Sequence, residues 1–421
     1  MFKLFKKYLP DISWAKVKLH SGVKVEELND HSFPKLPHIT KKKFCGDIIF
    51  LSPDPWNPNR WARKQMFAYL LQSYFDKVLY CVDHKHTDTF IPELKRITDN
   101  MYIYKQGVGK NFWQKSADDL AFKNLINIVN DLKMRPTAII AYQSINFLLA
   151  QKIVKTMDVE CKIFYDLTDD WTNFPGFSEE KRRLRMTEEE AAIRNADKVF
   201  SVSKRLYEWG KSNNPNTVYL PNATDFELMK TTREEGEIAD ELRNLNHPVV
   251  GYTGRITPWR IDWELLGKIA DMEEKPTLVM IGEIHHDSIP LRDKLLQRKN
   301  VIFLGPKEYY KLPMFYRGFD VCILPHSVDL QTGSMDPIKL YDYMGSGKPI
   351  VATSVEEAKK FPKGLRLAND HTSFLSLLRE AWSDKNHNPA TQMEIARQNS
   401  WAIRTEELVN QIELTLESNH V

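Results

Sequence analysis

Short apolar runs alternate with longer polar stretches along most of this chain, and the alternation occurs in two separate sets. The first set extends from residue 44 to residue 220, and the second begins at residue 249 after a charged connector at 231–246. Short apolar strands separated by helices are typical of a parallel sheet that is covered by helices on both faces. The sequence therefore predicts an α/β protein that contains two such sheets.

The apolar runs give the positions of the predicted strands. In the first set these are 47–52, 77–82, 101–104, 138–142, 162–165, 198–202 and 217–220, with helices near 60–74 and 117–132. In the second set they are 249–253, 277–281, 301–304, 320–324 and 350–353. A last helix is expected at about 401–417.

Length and composition narrow the class of protein. A chain of 421 residues is longer than one ordinary domain, so two domains are expected. Its 42% apolar and 27% charged residues are typical of a globular protein, and a net charge of +3 gives no indication of nucleic-acid binding. The sequence contains neither an apolar run of 18 residues nor a signal-peptide pattern. We therefore expect a cytoplasmic protein with no nucleic-acid partner.

The four cysteines, Cys45, Cys81, Cys161 and Cys322, are widely separated and lie in or beside apolar strands. They form neither a CxxC pair nor a disulfide framework. Buried, reduced thiols are therefore expected.

Residues 1–10 form a short basic amphipathic segment. Phe2, Phe5 and Leu9 fall near one helical face, and three lysines surround it. Two interpretations are open. The segment is suited to peripheral contact with an anionic membrane surface, but it is short and ends at Pro10, which equally suits docking on the protein's own surface.

The segment 336–353 carries the most specific chemistry. It lies between two predicted strands and contains a short helix from Lys339 to Met344, closed by glycines. Exposed amides at a helix start bind phosphate, and Lys339 adds positive charge. Asp342, one turn later, is suited to accept hydrogen bonds from two ribose hydroxyls. The segment thus predicts a cradle for a nucleotide diphosphate.

Two other interpretations of this segment were considered. The run Gly345–Lys348 resembles part of a Walker loop, but that loop needs Ser or Thr after the lysine and a glycine five positions before Gly347. Pro349 and Asp342 occupy those positions, so a Walker loop is rejected. A plain helix cap between two buried strands, with Lys339 and Asp342 merely solvated, stays open on local chemistry alone.

The same segment resembles the donor-binding signature of GT-B glycosyltransferases, especially family-four-like and teichuronic-acid-type enzymes. That signature is approximately Pro-x-Lys-Leu-x-Glu-Tyr-x-x-x-Gly-Lys-Pro-Val-Val, and it is matched by Lys339, Tyr343, Gly347, Lys348 and Pro349. Asp342 stands where the family usually has Glu. Ser334 stands where the better-known form of the family has the first of two glutamates.

The resemblance implies two tandem Rossmann-like domains, the GT-B architecture, with a deep interdomain cleft. Residues 1–228 would form the N-terminal, acceptor-binding domain, and residues 229–400 the C-terminal, nucleotide-sugar-binding domain. The helix within 401–421 would pack back on the first domain.

Further segments of the second half resemble donor-binding parts of the same family. Arg255 stands where relatives place a diphosphate-binding cation, and Arg260 where many carry a lysine; pairing with Asp262 or Glu264 is the alternative for both. The turns at Gly282 and at Gly305–Glu308 correspond to a strand end and a nucleobase-binding loop. The predicted donor site comprises Arg255, Arg260, Gly282, Gly305, Glu308, Ser334, Asp336, Lys339, Leu340 and Asp342.

The first half contributes an acidic cluster that resembles the family's Tyr-Asp-x-x-Asp-Asp-Trp segment. It contains Asp166, Asp169 and Asp170 at the end of a predicted strand. Clustered carboxylates raise each other's pKa, which favours one of them as a general base. We expect Asp170 in that role and Asp169 as second choice. The alternatives are helix capping, pairing with arginines, or metal binding, and GT-B enzymes typically need no metal.

Trp56, Arg60 and Arg63 follow the first predicted strand and are expected to face the same cleft. A tryptophan and two arginines are suited to stack on and clamp an acceptor sugar or its pyrophosphate. Helix packing is the alternative for the two arginines.

The resemblance implies a glycosyltransferase. It would move a sugar from a UDP- or GDP-type nucleotide-diphosphate sugar to a hydroxyl of a lipid-linked surface polysaccharide or glycolipid, at the cytosolic face of a membrane. Neither a metal nor a cofactor other than the donor substrate is expected. The competing hypotheses are a nucleotide-sugar 2-epimerase of the same architecture and a non-catalytic GT-B-like sugar-nucleotide-binding subunit.

Overall fold

A computed structural model of the chain describes residues 25–27, 44–57, 61–82, 92–106, 115–173, 176–329 and 332–418. The predictions for residues 1–10 and for Arg60 lie outside these residues. Of the helices in the described ranges, none is both long enough and apolar enough to cross a membrane.

The first sheet contains nine strands within the described residues. They are β1 (Val25–Glu27), β2 (Asp47–Ser52), β3 (Val78–Val82), β4 (Glu93–Arg96), β5 (Met101–Lys105), β6 (Pro136–Ala141), β7 (Lys162–Leu167), β8 (Lys198–Ser201) and β9 (Thr217–Tyr219). Their order is β1-β4-β5-β3-β2-β6-β7-β8-β9, and all neighbours are parallel except β4 and β5. The sequence analysis missed β1 and β4, because both are short and rich in charged residues.

The second sheet contains six strands, which the structure describes in full. They are β10 (Val249–Thr253), β11 (Thr277–Ile281), β12 (Val301–Gly305), β13 (Val321–Leu324), β14 (Ile350–Thr353) and β15 (Arg366–Ala368). All neighbours are parallel, in the order β12-β11-β10-β13-β14-β15. Counted along the chain this is 3-2-1-4-5-6, the order of the doubly wound dinucleotide-binding fold.

Helices cover the two sheets. They are α1 (Arg63–Leu71), α2 (Lys115–Asp131), α3 (Ser144–Met157), α4 (Glu179–Asn195), α5 (Lys204–Asn213), α6 (Phe226–Met229), α7 (Trp263–Ala270), α8 (Ile289–Leu295), α9 (Leu312–Gly318), α10 (Ile338–Ser346), α11 (His371–Ser383), α12 (Ala390–Gln398) and α13 (Trp401–Glu417). Every residue of the central strands β2 and β10 is buried, as expected for strands covered on both faces. The predicted class, an α/β fold with two Rossmann-like domains, is confirmed.

The chain crosses between the domains twice, and the two crossing segments are hydrogen-bonded to each other. The Thr224 amide donates to the Asn399 carbonyl at 3.1 Å, and the Trp401 amide donates to the Thr224 carbonyl at 2.9 Å. Helix α13 then lies on α1, where the rings of Phe67 and Trp401 meet edge to face with centroids 5.5 Å apart. The last helix therefore belongs to the core of the first domain.

Two of the cysteines differ from the prediction of buried thiols. All four are free thiols, and Cys81 and Cys322 are buried, but Cys161 is half-buried and Cys45 is exposed. Cys45 precedes β2 rather than lying within it, so the sheet does not cover its side chain.

A buried charge cluster joins the two domains beside the crossing segments. Lys360 donates to Asp336 and to Glu357 at 2.9 Å each, and both carboxylates are only 1% exposed. From the first domain, the Asn222 amide donates to Asp336 at 2.6 Å, and Tyr219 donates to Glu357 at 3.1 Å. The charge of Lys360 thus compensates two carboxylates, and each of these carboxylates also accepts a hydrogen bond from the first domain.

This cluster predicts a large effect of removing its cation. Replacing Lys360 by Met leaves Asp336 and Glu357 buried without their counter-charge, and loss of one member of a buried ion pair costs about 3–5 kcal/mol. We expect Lys360→Met to lower the free energy of unfolding in urea by about this amount.

The neighbouring Lys359 provides a matched control. It pairs with Glu356, but both side chains are about half exposed, at 51% and 52%. Lys359→Met should change the free energy of unfolding by less than about 1 kcal/mol. Equal stability of the two variants would show that the buried cluster does not hold the domains together.

Candidate active site

A cleft opens where the strand order of each sheet reverses. In the second sheet the reversal lies between β10 and β13, and in the first it lies between β2 and β6. Ligands of doubly wound sheets bind outside the carboxyl ends of the strands at such points. The cleft measures about 630 Å³ and is lined by residues of both domains. The residues that line it belong to the segments 54–57, 61–65, 168–169, 222, 253–260, 281–283, 306–312, 326 and 335–342.

Two glycines bring the strand ends of the second domain close together. Gly254 and Gly282 have φ values of +138° and +146°, which residues with a side chain rarely adopt. A Cβ on Gly282 would lie 1.9 Å from the Gly254 carbonyl oxygen, and a Cβ on Gly254 would lie 2.4 Å from Lys339 Cε. Glycine is therefore required at both positions, and the Gly254 backbone forms the floor beneath Lys339.

Lys339 lies in the first turn of α10, as the sequence predicts. Its ammonium group sits 5.2 Å from the centre of the Tyr252 ring, at the end of β10. Pro337 precedes the helix, and Gly347 ends it with φ +68°. The helix start, its amides and the lysine therefore meet at the carboxyl end of the sheet, where an anion would be favoured.

Two arginines line the cleft near Lys339. Arg255 is 42% exposed and lies 3.9 Å from Glu283, so it is accessible to a ligand. Arg260 follows on the same loop, whose position is fixed by the bond from the Ser327 amide to the Arg260 carbonyl at 2.9 Å. Asp262 and Glu264, the alternative partners of these arginines, have other contacts. Asp262 caps α7, and Glu264 pairs with Lys268.

Asp342 is buried at the inner end of the cleft. Its Oδ1 accepts hydrogen bonds from Thr224 at 2.6 Å and from Tyr309 at 3.0 Å. Burial raises the pKa of this carboxyl to about 7, even though both hydrogen bonds and the nearby Lys339 act in the opposite direction. The predicted ribose-binding acid therefore also contacts the segment that crosses between the domains.

Asp169 is the acid that the first domain presents to the cleft. It follows β7, is half-buried, and accepts a hydrogen bond from Thr168 at 3.1 Å. Burial raises its pKa above the usual range for aspartate, with Lys64 and Arg260 acting in the opposite direction. An acid with a raised pKa in a cleft is suited to proton transfer.

Lys64 and Asp54 lie beside Asp169. The Lys64 ammonium is 2.6 Å from the Asp54 carboxylate and 5.1 Å from the centre of the Tyr142 ring. Asp54 follows β2 and Tyr142 follows β6, so this pair occupies the reversal point of the first sheet. Both residues line the cleft.

Asp170, the first choice for the base, has structural contacts. Its carboxylate caps the turn Trp171–Asn173, accepting from the Thr172 hydroxyl at 2.6 Å and the Asn173 amide side chain at 2.8 Å. A weaker contact of 3.4 Å joins it to Ser334. It is not among the residues that line the cleft, whereas Asp169 is. The geometry therefore favours Asp169, the second choice, and the role of either carboxylate as the base stays a prediction.

The predicted acceptor residues are also placed differently. Trp56 is half-buried and packs edge-on against Trp61 and Tyr80 rather than facing the cleft. Arg63 touches the cleft but forms a buried bidentate pair with Asp166, with bonds of 2.8–3.1 Å. The structure thus favours the packing alternative for Arg63.

Four predicted donor residues have other partners. Leu340 is buried in the core with its amide bonded to Pro337, and Asp336, although it borders the cleft, belongs to the joint with Lys360. Ser334 is buried against Asp170, and the Glu308 side chain pairs with Lys311 outside the cleft. The prediction for the loop Gly305–Glu308 concerns its backbone groups, so this ion pair does not bear on it. The contacts of the other three side chains are structural, and their contact with a donor stays a prediction.

The glycine turns agree better with the prediction. The Gly305 carbonyl accepts from the Gly282 amide at 2.9 Å, and the residues that follow, Pro306 and Lys307, line the cleft. Gly282 lines it directly.

Several cleft residues were missed by the sequence analysis. His326 follows β13 and is buried, Lys64 lies in the first turn of α1, and Tyr309 directly follows the predicted nucleobase loop. His326 stands just after a predicted strand, and that position was the available signal for it, since the carboxyl ends of parallel strands share one edge.

The charged groups that line the cleft come from both domains. Asp342, Lys339 and Arg260 belong to the second domain, and Asp169 belongs to the first. Lys339 and Arg260 both act on the pKa of His326, and Arg260 also acts on that of Asp169. An elongated anionic ligand in this cleft would meet cations of the second domain and an acid of the first.

One group of potential metal ligands occurs among the described residues. His285, His286 and Asp287 place one ligand atom each within 4.8 Å of one another. The three residues are consecutive and largely exposed, and none of them lines the cleft. They form no part of the candidate site.

The raised pKa of Asp342 predicts how stability depends on pH. Its carboxyl titrates near 7 in the folded protein and near 3.8 when unfolded, so its stabilising contribution is complete below about 3.8 and is lost as the pH rises through about 7. Asp342→Asn keeps the oxygen that Thr224 and Tyr309 bind. We expect this variant to gain free energy of unfolding relative to the wild type, by a few kcal/mol, between about pH 5 and 8.

Urea denaturation at several pH values measures this difference. Asp240→Asn is the control, because the Asp240 side chain is 82% exposed. The same pH slope in Asp342→Asn and in the wild type would show that the Asp342 carboxyl is not strongly desolvated.

Comparison with known proteins agrees with this geometry. Residues 247–384 match the family described as Glycosyl transferases group 1. A curated relative from Bacillus subtilis (strain 168), named as a candidate teichuronic acid biosynthesis glycosyltransferase, TuaH, is 24% identical over 213 residues. That match covers 48% of this chain and 53% of the relative, so it spans about half the length of each.

Solved structures match almost the whole chain. Sucrose-phosphate synthase from Thermosynechococcus elongatus is similar with a TM-score of 0.68 at 15% identity, over 89% of this chain and 100% of its own. Anabaena HepE in complex with UDP-glucose gives 0.63 at 16% identity, over 89% and 100%. The alpha,alpha-trehalose 6-phosphate synthase from Burkholderia multivorans gives 0.66 at 11% identity, over 90% and 100%. At such identities these structures establish the fold, which is GT-B, and the predicted resemblance is confirmed.

Proposed function

Because residues 247–384 form a glycosyl transferases group 1 domain within a GT-B fold, we propose that this protein is a glycosyltransferase that uses a nucleotide-diphosphate sugar. It transfers the sugar to a hydroxyl of a surface polysaccharide or glycolipid. The observation that carries the proposal is the set of charged side chains that the two domains present to one cleft: Asp342, Lys339, Arg255 and Arg260 from the second domain and Asp169 from the first.

This arrangement of charged side chains fits the parts of a nucleotide-diphosphate sugar. The ribose would lie at Asp342, and the diphosphate would lie over the start of α10, against Lys339, Arg255 and Arg260. The sugar would then extend toward Asp169 in the first domain. A structure of Anabaena HepE holds UDP-glucose, which supports the choice of donor class.

The cations would stabilise the reaction at the leaving group. When the bond between the sugar and the diphosphate breaks, negative charge increases on the diphosphate. Fixed positive groups aimed at that position lower the barrier, because they need no reorganisation as the charge develops. In this proposal Lys339, Arg255 and Arg260 supply this effect, and the transfer needs no bound metal.

The acceptor would approach from the first domain, where Asp169 lies beside Lys64 and Asp54. Asp169 would take the proton of the acceptor hydroxyl. This acidic and basic cluster, at the reversal point of the first sheet, favours transfer over a site that only binds a nucleotide. The name of the Bacillus subtilis relative, which refers to teichuronic acid biosynthesis, supports a glycan acceptor. In this proposal the acceptor is handled at the cytosolic face of a membrane.

The proposal is tested with a panel of UDP- and GDP-sugars, incubated with and without glycolipid extract. Transfer to the extract supports the proposal, whereas conversion of the donor to its epimer would identify a 2-epimerase. Binding without turnover would identify a non-catalytic subunit. Each assay is run with and without EDTA, and turnover is expected in both.

Lys339→Ala tests the diphosphate site. It removes a charge-assisted hydrogen bond, so we expect the affinity for a nucleoside diphosphate to fall by about 1.5–3 kcal/mol. Calorimetry measures the loss. Lys311→Ala is the control, because Lys311 pairs with Glu308 outside the cleft and should bind as the wild type does. Unchanged affinity in Lys339→Ala would remove this lysine from the site.

Asp169→Asn tests the base, with Asp170→Asn as its matched partner. Loss of a general base lowers turnover by about 10²-fold or more, while donor affinity is kept. Asp170→Asn should instead lower the melting temperature more than turnover, because Asp170 caps a turn. The turnover of the wild type should rise with pH through the raised pKa of Asp169.

The opposite ranking of the two variants would restore Asp170 as the base. Full turnover in Asp169→Asn would indicate a retaining mechanism, in which the leaving phosphate takes the proton.

A further inference from the structure

A buried histidine occupies the reversal point of the second sheet. His326 follows β13, opposite the end of β10, and it lines the cleft although only 2% of its surface is exposed. Its backbone is fixed on two sides. The Thr353 hydroxyl donates to the His326 carbonyl at 2.7 Å, and Ile261 forms an antiparallel bridge with it.

The imidazole ring itself is held only by packing. Nδ1 and Nε2 are both buried, and neither has a hydrogen-bond partner among the described residues. Buried polar groups nearly always have such partners, and an exception requires an explanation. A ligand that enters the cleft would provide one.

The groups that face the ring are cationic or aromatic. Helix α10 contributes Lys339, the loop after β10 contributes Arg260, and β10 contributes Tyr252, whose ring centre is 6.2 Å from that of His326. Burial lowers the pKa of His326 well below its usual value, and Lys339 and Arg260 lower it further. The ring is therefore neutral in the ligand-free protein at neutral pH, and two positive charges act on it.

We infer that His326 is a ligand-binding residue of the diphosphate subsite and donates a hydrogen bond to a phosphate oxygen there. The inference rests on the proposed use of a nucleotide-diphosphate sugar, and it adds a residue to that site. His326 and Lys339 both lie against the ring of Tyr252, and both line the cleft together with Arg260. A site beside these cations favours phosphate over sugar hydroxyls, because the diphosphate carries the negative charge of the donor.

The same arrangement gives His326 a ligand-dependent charge. A bound diphosphate neutralises Lys339 and Arg260, so protonation of the imidazole becomes favourable. One proton then passes from the solvent to a ring nitrogen, and no bond of the donor is altered. When the sugar leaves, the imidazolium stabilises the charge that remains on the diphosphate.

His326→Phe is the decisive variant, with His286→Phe as its control. Phenylalanine fills a similar space and removes two buried nitrogens that lack partners, so the ligand-free variant should melt at the wild-type temperature or above it. Its affinity for UDP or GDP, whichever binds the wild type, should fall about 10-fold or more. His286 is 78% exposed and outside the cleft, and His286→Phe should bind as the wild type does.

Calorimetry in two buffers of different ionisation enthalpy measures the proton. The wild type should take up more protons per nucleoside diphosphate than His326→Phe, by a difference approaching one. The wild-type affinity should also rise more steeply than that of the variant as the pH falls between about 8 and 6. His326→Gln, which stays polar but cannot become charged, should lose the same proton uptake and serves if the phenylalanine variant does not fold.

The outcomes separate this inference from the proposed function. Equal affinity and equal proton uptake in the wild type and His326→Phe would overturn the role of His326, while the donor site stands. A loss confined to the nucleotide sugar, with the nucleoside diphosphate unaffected, would also overturn it and place the ring at the sugar. If the wild type binds neither UDP nor GDP nor their sugars, the proposed function itself is wrong.

Discussion

Two buried carboxylates next to and within one short helix connect the domains, and the candidate site depends on them. Asp336, just before α10, binds the Asn222 amide, and Asp342, in its second turn, binds the Thr224 hydroxyl. Lys339 lies between them in sequence and faces the cleft. Helix α10, which carries Lys339, is thus fixed to the segment that crosses between the domains. A change in domain angle would therefore move the cation.

Close approach of the backbone is the second constraint. Gly282 permits β11 to end against the Gly254 carbonyl, and Gly254 permits Lys339 to lie across β10. A side chain at either position would push the strand end or the lysine out of place. The order of the strands brings β10 and β13 together at the reversal point, and the glycines allow a ligand to reach their ends.

The sequence predicted the second domain better than the first. Three of its strands, Val249–Thr253, Thr277–Ile281 and Ile350–Thr353, have the predicted bounds, because buried parallel strands form uninterrupted apolar runs. The family match also covers this part, residues 247–384. In the first domain, the short charged strands Val25–Glu27 and Glu93–Arg96 lie at and near an edge of the sheet, where apolar residues are not required.

The candidate site was predicted in part. Lys339 and Asp342 were identified from a short helix that follows a strand, and Arg255 and Arg260 from the resemblance of their segment to a donor-binding part of the family. All four line the cleft. Asp169 and Asp170 are adjacent, and only the turn Trp171–Asn173 decides which of them faces the cleft. The direction of such a turn depends on tertiary contacts rather than on local residue preference.

In the proposed function, the distribution of charge between the domains would let a single cleft bind two substrates in sequence. The second domain presents Lys339, Arg255 and Arg260, which would favour an anionic donor, whereas the first presents Asp169 and the compensated pair of Lys64 and Asp54. Once a donor neutralised the cations, Asp169 would lose part of the stabilisation that Arg260 gives to its ionised form. Donor binding would thus raise the proton affinity of Asp169, the group proposed to accept a proton from the second substrate.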